Sequence, residues 1–139
     1  MIIVERATED DLEGVLRIDF LTIGDGSRQS YLVDAILGRH CVVARRGEMH
    51  IGFVIVDQSF FGQHFIALLI VHPDHRRQGV TTALIQYIEK TCPADRLFTA
   101  TNESNAIMQQ LCHRLGFVRS GYVENLDEGD PEIIYVKRL

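Results

Sequence analysis

The chain has 139 residues, 46% of them apolar and 24% charged, a composition typical of one compact folded domain and unlike that of a disordered chain. Its 14 Lys and Arg against 19 Asp and Glu give a net charge of −5. A nucleic-acid-binding domain normally carries a basic surplus, so we expect no nucleic-acid partner.

The N-terminus and the cysteines indicate where the chain resides. The opening MIIVERATEDD turns acidic after its first apolar residues and lacks the n- and h-regions of a secretory signal. The longest apolar run, Phe65–Val71, is far shorter than a membrane span. Cys41, Cys92 and Cys112 form no CxxC pair and are odd in number, which favours reduced thiols over disulfides or a zinc site. We therefore expect a cytoplasmic domain with no metal and no membrane partner.

The first half of the chain begins with a strand and two helices. Ile2–Glu5 is a short apolar run that predicts a strand, and Thr8 with Asp11 has the spacing of a capping box at a helix start. The predicted buried stripe of this first helix comprises Leu12, Val15, Leu16 and Phe20. After the turn Gly24–Gly26, a second helix is predicted through Tyr31, Leu32, Ala35 and Ile36, ending at Gly38.

Three predicted strands follow. Cys41–Ala44 and Met49–Val56 flank Arg46-Gly47 and predict a hairpin. Phe65–Val71 is continuously apolar, which is typical of a central strand covered on both faces.

The second half alternates helices and strands, which makes mixed α/β the predicted class. A helix beginning at Gly79 has its apolar face at Val80, Ala83, Leu84, Tyr87 and Ile88, and Pro93 prevents its continuation. Leu97–Thr101 predicts a strand, and a helix beginning near Asn105 and ending at Gly116 carries one apolar face. That face comprises Ile107, Met108, Leu111, Cys112 and Leu115. Phe117–Val123 and Ile133–Val136 are the last predicted strands, giving the order β-α-α-β-β-β-α-β-α-β-β.

The segment Leu68–Thr82, LLIVHPDHRRQGVTT, is the best candidate for a ligand site. A helix N-terminus has unpaired N–H groups and a positive dipole end, so it favours phosphate, and Gly79 removes a side chain where phosphate would approach. Two arginines and two threonines supply further donors: Arg76, Arg77, Thr81 and Thr82. The alternative interpretation is an ordinary exposed strand–helix loop.

Two motifs resemble those of the GNAT superfamily of N-acetyltransferases. Residues 76–81, RRQGVT, resemble the [Q/R]xxGx[G/A] loop that binds the acetyl-CoA pyrophosphate, and the preceding LLIVHPDH resembles the family's central strand and its exit. NAIMQQLCHRLGF, residues 105–117, resembles the N-x-x-A-x-x-L-Y-x-x-x-G-F segment. The resemblance implies one domain over residues 1–139, with a mixed, mostly antiparallel sheet of about six to seven strands flanked by four helices.

The resemblance also implies a site for acetyl-CoA, in a split between the strand ending at Val71 and the strand ending at Thr101. Backbone groups of Leu69 and Val71 would bind the pantetheine arm, and amides of residues 77–82 would wrap the pyrophosphate. Asn105 would face the pantetheine or thioester, and the Val71 amide would stabilise the oxyanion. The implied cofactor-binding residues are Leu69, Val71, Arg76, Arg77, Gln78, Gly79, Val80, Thr81, Thr82 and Asn105.

The chain departs from the family pattern at three positions. Thr81 stands where Gly or Ala is usual, so its side chain must point away from the phosphates or bind them. Met108 replaces an alanine, which affects packing only. Cys112 replaces the tyrosine that protonates the departing thiolate.

The proton-transfer groups are left open by the sequence. Phe65–Val71 contains no carboxylate, so the family's usual base is absent, and the remaining candidates are His64, His72 and Glu103. His72, beside the loop, is interpreted as a phosphate neighbour. His64 is the preferred candidate for the base, since histidine is the residue type that most often fills this role. Cys112 is either the acid or a small hydrophobe within the apolar face. Tyr122 and Tyr135 are alternative hydroxyl donors.

The leading hypothesis is an acetyl-CoA-dependent N-acetyltransferase acting on a primary amine of a small molecule or peptide. The alternatives are a non-catalytic CoA-binding module on the same fold and a purely structural α/β domain. The acidic run with Asp127, Glu128, Asp130 and Glu132 is either a solvated turn or a field that attracts a cationic amine. The strand Phe117–Val123 offers an edge through which a homodimer could pair.

Overall fold

The computed structural model describes residues 1–139 and contains seven strands and four helices in the predicted order. The strands are β1 Ile3–Arg6, β2 Cys41–Arg46, β3 Met49–Phe60, β4 Gln63–Val71, β5 Arg96–Asn102, β6 Val118–Val123 and β7 Glu132–Arg138. The helices are α1 Leu12–Ile23, α2 Gln29–Leu37, α3 Val80–Thr91 and α4 Ala106–Arg114. Short 3-10 turns lie at Glu9–Asp11 and Pro73–His75.

The strands form one mixed sheet in the order β1-β2-β3-β4-β5-β7-β6. The pairs β1–β2, β2–β3, β5–β7 and β6–β7 are antiparallel. The parallel pair is β4–β5, through Phe65↔Phe98 and Ile66↔Thr99. The mostly antiparallel seven-stranded sheet with four helices confirms the predicted fold class. None of the helices is both long and apolar enough to cross a membrane.

The chain divides into two compact units, here called unit 1 (Met1–Val56 with Leu68–Thr91) and unit 2 (Asp57–Ala67 with Cys92–Leu139). Unit 1 contains β1, β2 and the helices α1, α2 and α3, with α3 packed on β1 and β2. Its core is formed by fully buried side chains from strands and helices alike. These include Val15, Ile18, Leu32, Val43, Ile51, Phe53 and Leu84.

The N-terminal helix begins as predicted but buries a different stripe. The Thr8 N–H donates to Oδ2 of Asp11 at 2.9 Å, the backbone half of a capping box. The predicted stripe was wrong at Phe20, which is 56% exposed, because Asp19 takes the inward position four residues after Val15. Asp19 is tolerated there because Arg28 binds both of its oxygens, at 2.5 and 3.3 Å.

Unit 2 contains β5, β7, β6 and α4, and its core includes Leu97, Cys112, Phe117, Ile133 and Tyr135. The predicted apolar face of α4 was wrong at Ile107, which is 76% exposed. This helix has only nine residues and buries a single narrow stripe at Cys112, and Ile107 lies outside that stripe.

Strand β4 was correctly placed in the middle of the sheet, but it is not covered on both faces. Ile66 is its buried residue, and Leu68, Leu69, Ile70 and Val71 are half-buried. These four residues are therefore partly exposed at the end of the strand that leads into the candidate loop.

Candidate functional site

The exit from β4 is an ordered turn that belongs to unit 1. The His72 N–H donates to the Ile51 carbonyl on β3 at 2.8 Å, which ties the chain to the sheet one residue beyond the strand. The Nδ1 atom of His72 then accepts from the Asp74 N–H at 3.1 Å, and the His72 carbonyl accepts from the His75 N–H at 2.9 Å. The loop therefore starts from a fixed position.

The backbone between this turn and α3 is left-handed at two residues. Arg77 has φ +62° and Gly79 has φ +83°. Glycine adopts this conformation without cost, whereas for a residue with a side chain it costs about 1–2 kcal/mol, and such strain clusters at functional sites. Successive amides turned in this way form concave binding sites for anions.

The structure shows a conformational reason for glycine at position 79. A Cβ added to Gly79 would meet nothing within 4 Å. Within the protein, glycine is therefore favoured at this position by the positive φ and not by a lack of space for a side chain. The sequence expectation concerned the approach of a phosphate, which remains a prediction.

Helix α3 begins directly after this loop. It starts at Val80, which is 2% exposed and packs against β3 at Gly52. A Cβ on Gly52 would lie 2.8 Å from Cγ1 of Val80 and 3.2 Å from the Ile70 carbonyl, so only glycine lets the helix start come this close to the sheet. Gly52 was not among the sequence candidates, since an isolated glycine in a strand signals a close approach without identifying the partner.

The side chains of the loop fall into two groups. Gln78 is bound by Arg46 of β2, whose Nη1 donates to Oε1 of Gln78 and lies 3.3 Å from Nδ1 of His75. Arg76 and Arg77 are exposed and make no hydrogen bond or ion pair within the protein. Arg46 was not among the sequence candidates.

The structure thus brings together in unit 1 the predicted residues from Leu69 to Thr82. The first amides of α3 lack intrahelical acceptors and carry the positive end of the helix dipole. Two uncommitted guanidiniums and two half-buried threonines, Thr81 and Thr82, lie on the same segment. This combination suits a phosphate or pyrophosphate group.

The other predicted residues lie in unit 2. Asn105 is exposed and caps α4, because its Oδ1 accepts from the Met108 N–H at 3.1 Å. His64 is the second residue of β4, next to the turn Phe61-Gly62 and at the opposite end of the strand from the loop. Glu103 is exposed, and its N–H donates to the Pro131 carbonyl at 2.8 Å.

Cys112 and Tyr135 form a second cluster in unit 2. Cys112 is 2% exposed, and burial raises the pKa of its thiol to about 11. Tyr135 is 1% exposed, and burial, followed by the neighbouring Cys112, raises the pKa of its phenol. The ring of His113 stands perpendicular to the ring of Tyr135 with centroids 5.9 Å apart. Both groups therefore stay protonated at neutral pH.

The acidic run is an exposed turn in which two carboxylates are hydrogen-bonded to the chain after or at the end of β5. Asp127 accepts from Nδ2 of Asn102 at 2.8 Å, and Asp130 accepts from the N–H and hydroxyl of Ser104 at 3.0 and 2.6 Å. Burial, with Asp127 and Asp130 as further causes, raises the pKa of Glu132. Two of the four carboxylates thus hold the segment that follows β5.

Comparison with known proteins gives two findings at the level of sequence. A family model described as the acetyltransferase (GNAT) family matches residues 11–117. Among curated proteins, the mouse cysteine-rich protein 2-binding protein is 32% identical over 72 residues, which are 52% of this chain. The match spans only 9% of that longer protein.

Two solved structures resemble the whole chain. An acetyltransferase of the GNAT family from Bacillus cereus ATCC 10987 has 41% identity and a TM-score of 0.95, over 99% of this chain and 97% of that one. A structure from Bacillus anthracis str. Ames, solved in complex with acetyl coenzyme A, has 14% identity and a TM-score of 0.81 over 100% of both chains. At that identity the second comparison establishes the fold alone.

Proposed function

Since the chain belongs to the acetyltransferase (GNAT) family, we propose that it transfers an acetyl group from acetyl-CoA to a primary amine of a small molecule or peptide. We also propose that residues 1–139 act as one such domain, which is supported by a family match that includes residues of both units.

The observation that carries this proposal is the loop before α3. Its left-handed backbone at Arg77 and Gly79, the helix N-terminus after it and two arginines without protein partners fit the pyrophosphate of CoA. The loop residues proposed to hold it are Arg76, Arg77, Gln78, Gly79, Val80, Thr81 and Thr82. Two ordinary turns of the chain also hold a non-glycine residue at positive φ, Arg39 and Phe61, so the support comes from the combination of this backbone with the helix N-terminus and the two arginines.

The accessible end of β4 supports a site for the pantetheine arm. We propose that backbone groups of Leu69 and Val71 bind this arm as an added strand would, since both residues are half-buried. For Asn105 the helix cap accounts for Oδ1, so its proposed contact with the cofactor is made by the Nδ2 donor.

Acetyl-CoA supplies the activated acetyl thioester. The amine, whose pKa near 10.4 keeps it mostly charged at neutral pH, must lose a proton, and the leaving sulfur must gain one. β4, Gln63–Val71, contains no carboxylate, and His64 lies seven residues before Val71, about 23 Å away along an extended strand. We therefore propose that the amine proton leaves through water rather than by direct transfer to the sequence candidate His64. The Val71 N–H is the proposed donor to the oxyanion.

For the proton donor we propose Tyr135 ahead of Cys112. Cys112 is explained by packing, since it is almost fully buried and its pKa of about 11 makes it a weaker acid than an exposed thiol. Tyr135 is equally buried, lies close enough to Cys112 for the thiol to affect its pKa, and carries the hydroxyl donor of this cluster.

The location and assembly of the protein are proposed on separate grounds. The three cysteines are free, which supports a reducing, cytoplasmic compartment. Strand β6 is at one end of the sheet order and exposes Val118, Tyr122 and Val123, which supports a homodimer paired along this edge.

The test of the proposed function has two arms. Calorimetry with CoA measures binding, and release of free thiol from acetyl-CoA measures transfer across a panel of polyamines, aminoglycosides, amino acids and peptides. We expect binding and acceptor-dependent thiol release. Binding without release on any acceptor would instead favour the non-catalytic CoA-binding module, and no binding would favour a structural domain.

A further inference from the structure

Arg46 links the end of β2 to the phosphate loop. It is the last residue of the strand, and it is half-buried. Its Nη1 donates to Oε1 of Gln78, 32 residues away in the sequence, and lies 3.3 Å from Nδ1 of His75, 29 residues away. The Arg46 guanidinium therefore binds the side chains that immediately precede and follow Arg76 and Arg77.

The residues between these two anchors are the ones without partners. Arg76 and Arg77 make no hydrogen bond or ion pair within the protein, and Arg77 holds a left-handed backbone that residues with a side chain adopt rarely. Such a conformation persists only where its surroundings constrain it. The contacts of Arg46 with His75 and Gln78 provide that constraint from outside the loop.

We propose that Arg46 is a positioning residue of the loop, which holds residues 75–78 in the conformation that receives the phosphates of CoA. Its guanidinium is committed to Gln78 and His75, whereas Arg76 and Arg77 are left to meet the anion. A loop ordered before binding loses less conformational entropy when the ligand arrives, so Arg46 raises affinity without touching the ligand. The inference rests on the proposed function for the identity of the ligand.

A double-mutant cycle tests this role by calorimetry with CoA. Arg46→Met removes the donor, Gln78→Met removes its acceptor without changing the charge, and the third variant carries both changes. We expect Arg46→Met to weaken binding about 10- to 150-fold, the range of a hydrogen bond to a charged group. Gln78→Met should weaken it in the same direction, and the double variant should be no weaker than Arg46→Met alone.

Arg45→Met is the matched control. Arg45 precedes Arg46 on the same strand and carries the same charge, but it binds Glu5 and the Gly47 carbonyl instead of the loop. We expect its CoA affinity to stay within about twofold of the parent, because the loop keeps its anchors. An equal loss in both arginine variants would mean that only net positive charge matters and would overturn the positioning role.

Limited trypsin digestion of the unliganded protein separates this inference from the proposed function. Arg76 and Arg77 are exposed, so cleavage after them should be faster in Arg46→Met and in Gln78→Met than in the parent, and should be unchanged in Arg45→Met. If the parent does not bind CoA, the proposed function fails, while the cleavage rates still decide whether Arg46 orders the loop. Unchanged cleavage rates, with Gln78→Met binding CoA as the parent does, would overturn the inference.

Discussion

Nε2 of His50 on β3 lies 2.8 Å from Oδ1 of Asp11, the residue immediately before α1. The imidazole ring of His50 fits there because Gly14 has no side chain. A Cβ on Gly14 would lie 2.2 Å from Nδ1 of that ring. Burial by itself raises the pKa of Asp11, but the hydrogen bonds from His50 and the Thr8 N–H, with Arg45 nearby, hold the pKa of this carboxyl below 3.8. The start of α1 is thus fixed to the sheet by the hydrogen bond between His50 and the Asp11 carboxylate.

We expect this pair to make stability depend on pH in the acid range. A folded-state pKa below the unfolded value of 3.8 means that the contribution of Asp11 is complete above that pH and is lost as the pH falls through the folded value. Asp11→Asn should lower the free energy of unfolding by about 1–3 kcal/mol at neutral pH, and the difference from the parent should shrink below pH 3.8. Urea denaturation at a series of pH values measures both the loss of stability at neutral pH and its decrease in acid.

Glu13→Gln is the control for this prediction. Glu13 is exposed on α1 and its ion pair with Arg17 is 3.6 Å long, so we expect a change within about 0.5 kcal/mol at neutral pH. A constant difference between Asp11→Asn and the parent at all pH values would contradict the proposed ionisation.

Gly79→Ala should weaken CoA binding by at least about tenfold, because alanine at φ +83° either strains the backbone or forces the loop out of its left-handed conformation. Gly24→Ala is matched to it, since Gly24 also has φ +83° and open space around its Cβ, but it ends α1. Both variants should lose about 1 kcal/mol of stability in thermal denaturation, and only Gly79→Ala should lose CoA affinity. Parent-like CoA binding by Gly79→Ala would show that the phosphates are held elsewhere.

Arg77→Met should lower CoA affinity about tenfold or more, and the affinity of the parent should fall as salt rises, since several phosphate charges are screened. Arg17→Met provides the comparison, because Arg17 is an exposed arginine on α1 that pairs with Glu13. Calorimetry at three salt concentrations measures the effect. Equal losses in the two variants would remove Arg77 from the site.

Tyr135→Phe should slow the chemical step about 10²-fold, the lower part of the range for a general acid, with little change in CoA affinity. Cys112→Ala should slow it by less than about tenfold and instead lower stability by about 1–2 kcal/mol, since it leaves a small cavity beside the Tyr135 ring. Rapid-quench kinetics on the acceptor identified in the panel separates chemistry from product release. A slow Cys112→Ala with a normal Tyr135→Phe would reverse the assignment.

Local patterns in the sequence were sufficient for the order of elements and for the loop. The spacing of Thr8 and Asp11 predicted a helix start, and the glycine behind two arginines predicted the segment before α3, because caps and helix periodicity involve residues within a few positions of one another. The same holds for Asn105, which the sequence placed at the start of α4 and whose side chain caps it.

The tertiary structure alone decided which side chains hold that loop and which faces are buried. Arg46 reaches residues 29 and 32 positions away, and Gly52 makes room for Val80 of a distant helix. Asp19 rather than Phe20 takes the inward position on α1, where Arg28 binds its carboxylate. These relationships depend on how elements pack in space, and hydrophobic periodicity identifies an apolar face without specifying what meets it.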